Sequence, residues 1–61
     1  MEIDILIVTE SSGDVTLQVL TDRAASFLQM TGPGNITRSQ AEATDICKRA
    51  RSAGINVTPD F

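Results

Sequence analysis

The chain has no histidine, no tryptophan and no tyrosine, one cysteine, two phenylalanines, and no basic residue before Arg23. Each gap removes a class of function. With no histidine, Ser11 and Ser12 lack a candidate base and read as turn residues rather than nucleophiles. With no histidine and no second thiol there is no zinc constellation, and Cys47 alone cannot close an intrachain disulfide. The missing Tyr and Trp remove the usual platforms for stacking nucleic-acid bases. The only strongly apolar run, Ile3 to Val8, is far too short to span a bilayer. No basic leader or small-residue cleavage site accompanies it, so a cytoplasmic protein is expected, with no membrane partner.

What is present is globular in character. Hydrophobic residues make up 41% and charged residues 21%, well away from the composition of disordered chains. Sixty-one residues can build one core only, which makes residues 1–61 a single domain. Domains of this size usually draw on disulfides, metals or oligomerisation, and self-association is the one of these left open. Charge divides the chain in two. Glu2, Asp4, Glu10, Asp14 and Asp22 crowd the first 22 residues, after which five bases face three acids, for a net charge of −3.

Residues 2–10 are dominated by β-branched and long aliphatic side chains and predict a strand. Ser11-Ser12-Gly13-Asp14 supplies turn chemistry, and residues 15–20 alternate apolar with polar, completing a hairpin. Alternation directs Ile3, Ile5, Ile7, Val15, Leu17 and Val19 to the core. It sends Leu6, Val8 and Leu20 to the reverse face, among Glu2, Asp4, Glu10, Thr16 and Gln18. Thr21 or Asp22 caps a short helix carrying Ala24, Phe27 and Leu28, which Gly32-Pro33-Gly34-Asn35 stops. Ser39 followed by Glu42 has the spacing of a capping box. It opens a second helix with Ala43, Ile46, Cys47, Ala50 and Ala53 on one stripe and Gly54 as its C-cap. Ile55 to Thr58 predicts a last short strand, ended by Pro59. The expected fold is α+β, in the order ββααβ: a small antiparallel sheet with two helices on one face.

Leu20-Thr21-Asp22 leading into Ala24, Phe27 and Leu28, with Ala53-Gly54-Ile55-Asn56-Val57 near the other end, resembles a layout found among small uncharacterised bacterial proteins. The resemblance covers about half the chain. It implies the fold and no activity, and the tryptophan such chains often carry after the leucine-threonine helix is missing here.

Several features invite a functional reading. Cys47 shares its stripe with Ala43, Ile46 and Ala50, so it reads as a small buried hydrophobe with a slow thiol. Glu2, Asp4 and Glu10 are too dispersed for one cation, since Asp4 and Glu10 stand roughly 20 Å apart along a strand. No cofactor or metal is implied, and no set of nucleophile, base and orienting group suggests an enzyme. Thr31-Gly32-Pro33-Gly34-Asn35 could turn backbone amides toward an anion, with Arg38 close by, but a tight interhelical turn needs the same residues. Asn35-Ile36-Thr37 and Asn56-Val57-Thr58 match the glycosylation tripeptide and carry no role in a chain without a secretion signal.

Two surfaces remain. Leu6 and Val8, rimmed by Glu2, Asp4 and Glu10, have the apolar centre and charged border of a protein interface, suited to a basic partner or to homodimerisation. Arg38, Lys48, Arg49 and Arg51 offer an alternative, contact with nucleic-acid phosphates. The net negative charge opposes that alternative, and the negative end of a helix dipole accounts for the helical bases. The expected function is thus a non-enzymatic protein-binding or regulatory module, such as an inhibitor or adaptor. A structural subunit of a larger assembly is a third reading.

Overall fold

The computed structural model describes residues 2–59 and has the element order β1 (Ile5–Thr9), β2 (Val15–Val19), α1 (Asp22–Phe27), β3 (Gly34–Arg38), α2 (Gln40–Ser52) and β4 (Val57–Thr58). The α+β class holds. The order differs from ββααβ by one strand, β3, lying between the helices where sequence reading expects only a turn. Its segment, GNITR, contains just two good strand formers, Ile36 and Thr37, behind a Gly-Pro turn signal. Pairing with β2 supplies what propensity does not. The register runs unbroken from Val15↔Arg38 through Leu17↔Ile36 to Val19↔Gly34, which turns Ile36 toward the core.

The four strands lie in the order β3-β2-β1-β4. β1 and β3 both run antiparallel to β2, whereas β4 runs parallel to β1, so the sheet is mixed rather than antiparallel throughout. The reason lies in α2. β3 and β4 occupy opposite edges and run in the same direction, and α2 carries the chain back between them. Its 13 residues rise about 20 Å, enough to return past a five-residue strand of about 17 Å.

The hairpin forms as expected. Glu10 N–H donates to the Asp14 carbonyl at 2.8 Å, Gly13 N–H donates to the Glu10 carbonyl at 3.0 Å, and Gly13 takes φ +94°. That is the type I turn with a left-handed glycine common in three-residue hairpin loops. Thr21, not Asp22, caps α1, accepting from Ala24 N–H at 3.4 Å. Ser39 caps α2: its hydroxyl accepts from Glu42 N–H at 3.3 Å and donates to the Glu42 carboxylate at 2.9 Å.

Both helices end in the same way. Met30 N–H reaches the Ala25 carbonyl at 2.8 Å across a left-handed Gln29 (φ +59°). Ile55 N–H likewise reaches the Ala50 carbonyl at 2.9 Å across a left-handed Gly54 (φ +83°). Each is a Schellman closure that satisfies carbonyls the helix leaves open.

One hydrophobic cluster gathers Ile5, Ile7, Val15, Leu17, Val19, Ile55 and Val57 with Ala24, Ala25, Ala43, Cys47 and Ala50 of the helices. The helical contribution is nearly all alanine, so both helices approach the sheet closely while Phe27, Leu28, Met30, Ile36 and Ile46 pack around the margin. Five of the six expected hairpin core residues are buried. Ile3 is the exception at 41% exposed, because β1 begins only at Ile5 and the chain bends at Asp4. No helix among the described residues is long and apolar enough to cross a membrane.

Candidate binding face

The helices cover one side of the sheet, and alternation places a second set of side chains on the other. Register aligns them in two rows: Thr58, Leu6, Gln18 and Asn35 across all four strands, and Val8, Thr16 and Thr37 across three. Leu6 and Val8 are half-buried among these polar neighbours. Leu20, just past the end of β2, donates its N–H to the Asp4 carbonyl at 2.8 Å and is 49% exposed. Leu6 and Val8 thus form a small, half-buried apolar centre on a face that no helix covers.

The border of this face is built by hydrogen bonds that cross strands. Thr16 donates its hydroxyl to the Glu10 carboxylate at 2.6 Å, and its oxygen lies 3.2 Å from the Thr37 hydroxyl. This ladder leaves Thr16 only 8% exposed and ties Glu10 to the end of the face near the hairpin turn. Sequence reading foresaw Glu10 at this border but not Thr37, because that required β3. At the opposite end Glu2 is exposed, and its carbonyl accepts from the Asn56 side-chain amide at 2.9 Å.

Asp4 leaves the expected acidic border altogether. Its side chain is fully buried and accepts from three segments at once. The Thr21 hydroxyl donates to Oδ1 at 2.6 Å, Arg23 Nε bridges both oxygens at 3.2 and 3.1 Å, Arg23 Nη2 donates to Oδ2, and Asn56 N–H reaches Oδ2 at 2.9 Å. Arg23 also donates to the Gly54 carbonyl at 3.0 Å, which joins the start of α1 to the end of α2. The Arg23 bonds first, then those of Thr21 and Asn56, hold the Asp4 carboxyl well below its ordinary 3.8 against the opposing effect of burial. Strand alternation misplaces this residue because it applies only inside a strand, and Asp4 sits in the bend before one. Arg23 and Asn56 carried no sequence signal as its partners, being 19 and 52 residues away.

The remaining candidate residues scatter. Arg38 ends β3 and donates to the neighbouring Thr37 carbonyl at 2.8 Å. On α2, Arg49 pairs with Asp45 at 3.0 Å, both well exposed, which contributes a few tenths of a kcal/mol at most. Lys48 is exposed, and Arg51 is half-buried and donates to the Pro59 carbonyl at 3.2 Å. Cys47 is fully buried; burial pushes its thiol up, with Arg51 pulling weakly the other way. Of the Thr31–Asn35 segment, weighed as an anion loop against a plain turn, Gly34 and Asn35 are paired to β2 as the start of β3. Among the described residues no three His, Cys, Asp or Glu side chains converge on a point that could hold a metal.

A concavity lies on the helical side, an open groove of about 340 Å³ lined by Phe27, Leu28, Gln29, Ile46 and Arg49. None of its lining groups is a nucleophile or a base near neutral pH. No protein-family model, curated protein or solved structure matches the chain.

Proposed function

We propose that the chain is a non-enzymatic protein-binding module, an inhibitor or adaptor, whose contact surface is the helix-free face of the sheet. The observation that carries this reading is the pair Leu6 and Val8, half-buried on a helix-free face beside the polar rows of β2 and β3. An apolar centre inside a polar border is the anatomy of a protein interface. Glu2 and Glu10 stand at opposite ends of the face, and with a net charge of −3 they favour a basic partner, raising the encounter rate more than the final affinity. Asp4 takes no part, being committed to Arg23.

The test is a quantitative pull-down from the source cell's lysate with wild-type, Leu6→Lys and Lys48→Glu baits, each first shown to melt like the wild type. A protein retained by wild type and Lys48→Glu but lost from Leu6→Lys is the expected result. Nucleic acid lost only from Lys48→Glu would move the function to the basic side of α2 and defeat the reading.

A further inference from the structure

The sheet has two edges, and they differ in kind. β4 is two residues long and Pro59, which has no N–H to donate, follows it. β3 is five residues long, and the alternation of the ladder turns the backbone groups of Asn35 and Thr37 outward; of these only the Thr37 carbonyl has a partner among the described residues, the Arg38 side chain at 2.8 Å, which a pairing strand would displace. Edges that remain solitary are usually blunted by a central charge, a bulge or a proline. β3 has no bulge, proline or central charge within it: its register to β2 is unbroken, and its one charge, Arg38, is its last residue and covers only the Thr37 carbonyl.

We propose that this edge pairs antiparallel with β3 of a second copy of the chain, about a two-fold axis through Ile36. The four strands of each copy then join in one sheet of eight. The segment is self-complementary in this register. Gly34 faces Arg38, Asn35 faces Thr37, and Ile36 faces its own twin, so all five residues pair and both sheet faces continue without a flip. Ile36, half-buried at the margin of the core, gains an apolar neighbour.

Arg38 lies opposite a residue with no side chain. A Cβ at Gly34 would meet the Met30 methyl at 3.7 Å, an ordinary contact, so the arginine stem would pack against that methyl. Gly34 is itself paired with Val19, three residues before Asp22, which brings the arginine toward a segment of opposite sign. The two arginines stand four residues apart along the paired strands, about 13 Å, beyond the screening length of about 8 Å at physiological salt. The two arginines therefore add little repulsion, and the remaining electrostatic opposition is the net charge of −3 on each copy, which salt screens. One strand per copy gives an interface below about 1,200 Å² in total, so the dimer is weak and concentration-dependent, with a Kd between about 1 μM and 1 mM.

Sedimentation equilibrium across that range tests the pairing. Asn35→Lys with Thr37→Lys sets like charges about 5 Å apart across the axis, as does Asn35→Glu with Thr37→Glu. Each double variant is expected to stay monomeric while keeping the wild-type circular dichroism, and an equimolar mixture of the two is expected to recover a heterodimer. Leu6→Lys is expected to dimerise like the wild type, which separates this edge from the proposed partner face. Amide exchange on the unaltered chain supplies a check free of substitutions: β3 amides should gain protection as concentration rises. A wild type that stays monomeric at about 1 mM, double variants that dimerise alike, a mixture that does not associate, or β3 exchange indifferent to concentration would each overturn the proposal.

Discussion

Asp4 shows how one residue can hold a small domain together. Its carboxylate joins the entry to β1, the cap of α1 and the turn after α2, and among the described residues no buried side-chain polar atom lacks a partner. A group whose folded pKa lies below its ordinary value contributes stability that is fully present above that value and lost as pH falls through the folded one. Asp4 therefore makes the domain acid-sensitive beginning just below its ordinary 3.8. Asp4→Asn is expected to lower the melting temperature at neutral pH, since it leaves Arg23 without its carboxylate. The gap between variant and wild type should narrow as pH drops below about 4, because the unfolded wild-type chain then takes up a proton at Asp4 that the folded carboxylate refuses. Thermal melts of both proteins at neutral pH and at about pH 3 check this; a gap independent of pH would show that the carboxylate's charge contributes nothing.

At the scale of elements, the two helix ends form a natural comparison. Gly54 adopts its left-handed conformation without cost, whereas Gln29 adopts one that a side chain disfavours by about 1–2 kcal/mol. Glycine at 29 would remove that strain but bring extra freedom to the unfolded chain, worth about 0.5–1 kcal/mol. Gln29→Gly is expected to stabilise the protein by up to about 1.5 kcal/mol in urea unfolding, the difference of those two effects. Gly54 was legible in the sequence because the α2 stripe stops beside it. The end of α1 was not, since glutamine gives no stop signal and the Gly32-Pro33 pair drew the expected boundary too late. The same Gly-Pro pair concealed β3, whose pairing depends on Leu17 and Val15 rather than on its own composition. Hence the apolar half of the candidate face, Leu6 and Val8, could be read from alternation in β1, while the Thr16–Thr37 ladder could not.

Across the whole molecule, the alanine-rich helical layer leaves the sheet to supply most of the apolar volume. Leu17 is fully exposed to neither solvent nor edge: it is wholly buried between Ile7 and Ile36 in the sheet. Leu17→Ala is expected to cost about 2–5 kcal/mol, against a total stability of about 3–9 kcal/mol for a chain of this length. Far-ultraviolet circular dichroism should show a large unfolded fraction or a much earlier urea midpoint; an unchanged midpoint would mean that the core does not depend on this residue. The parallel pairing of β1 with β4 has a further consequence, for synthesis. Ile5 is made 52 positions before its partner Val57. On the ribosome the hairpin and β3 can assemble early, but the free side of β1 stays open until residue 58 emerges, so the domain reaches its native state in a single late step rather than growing as it is translated.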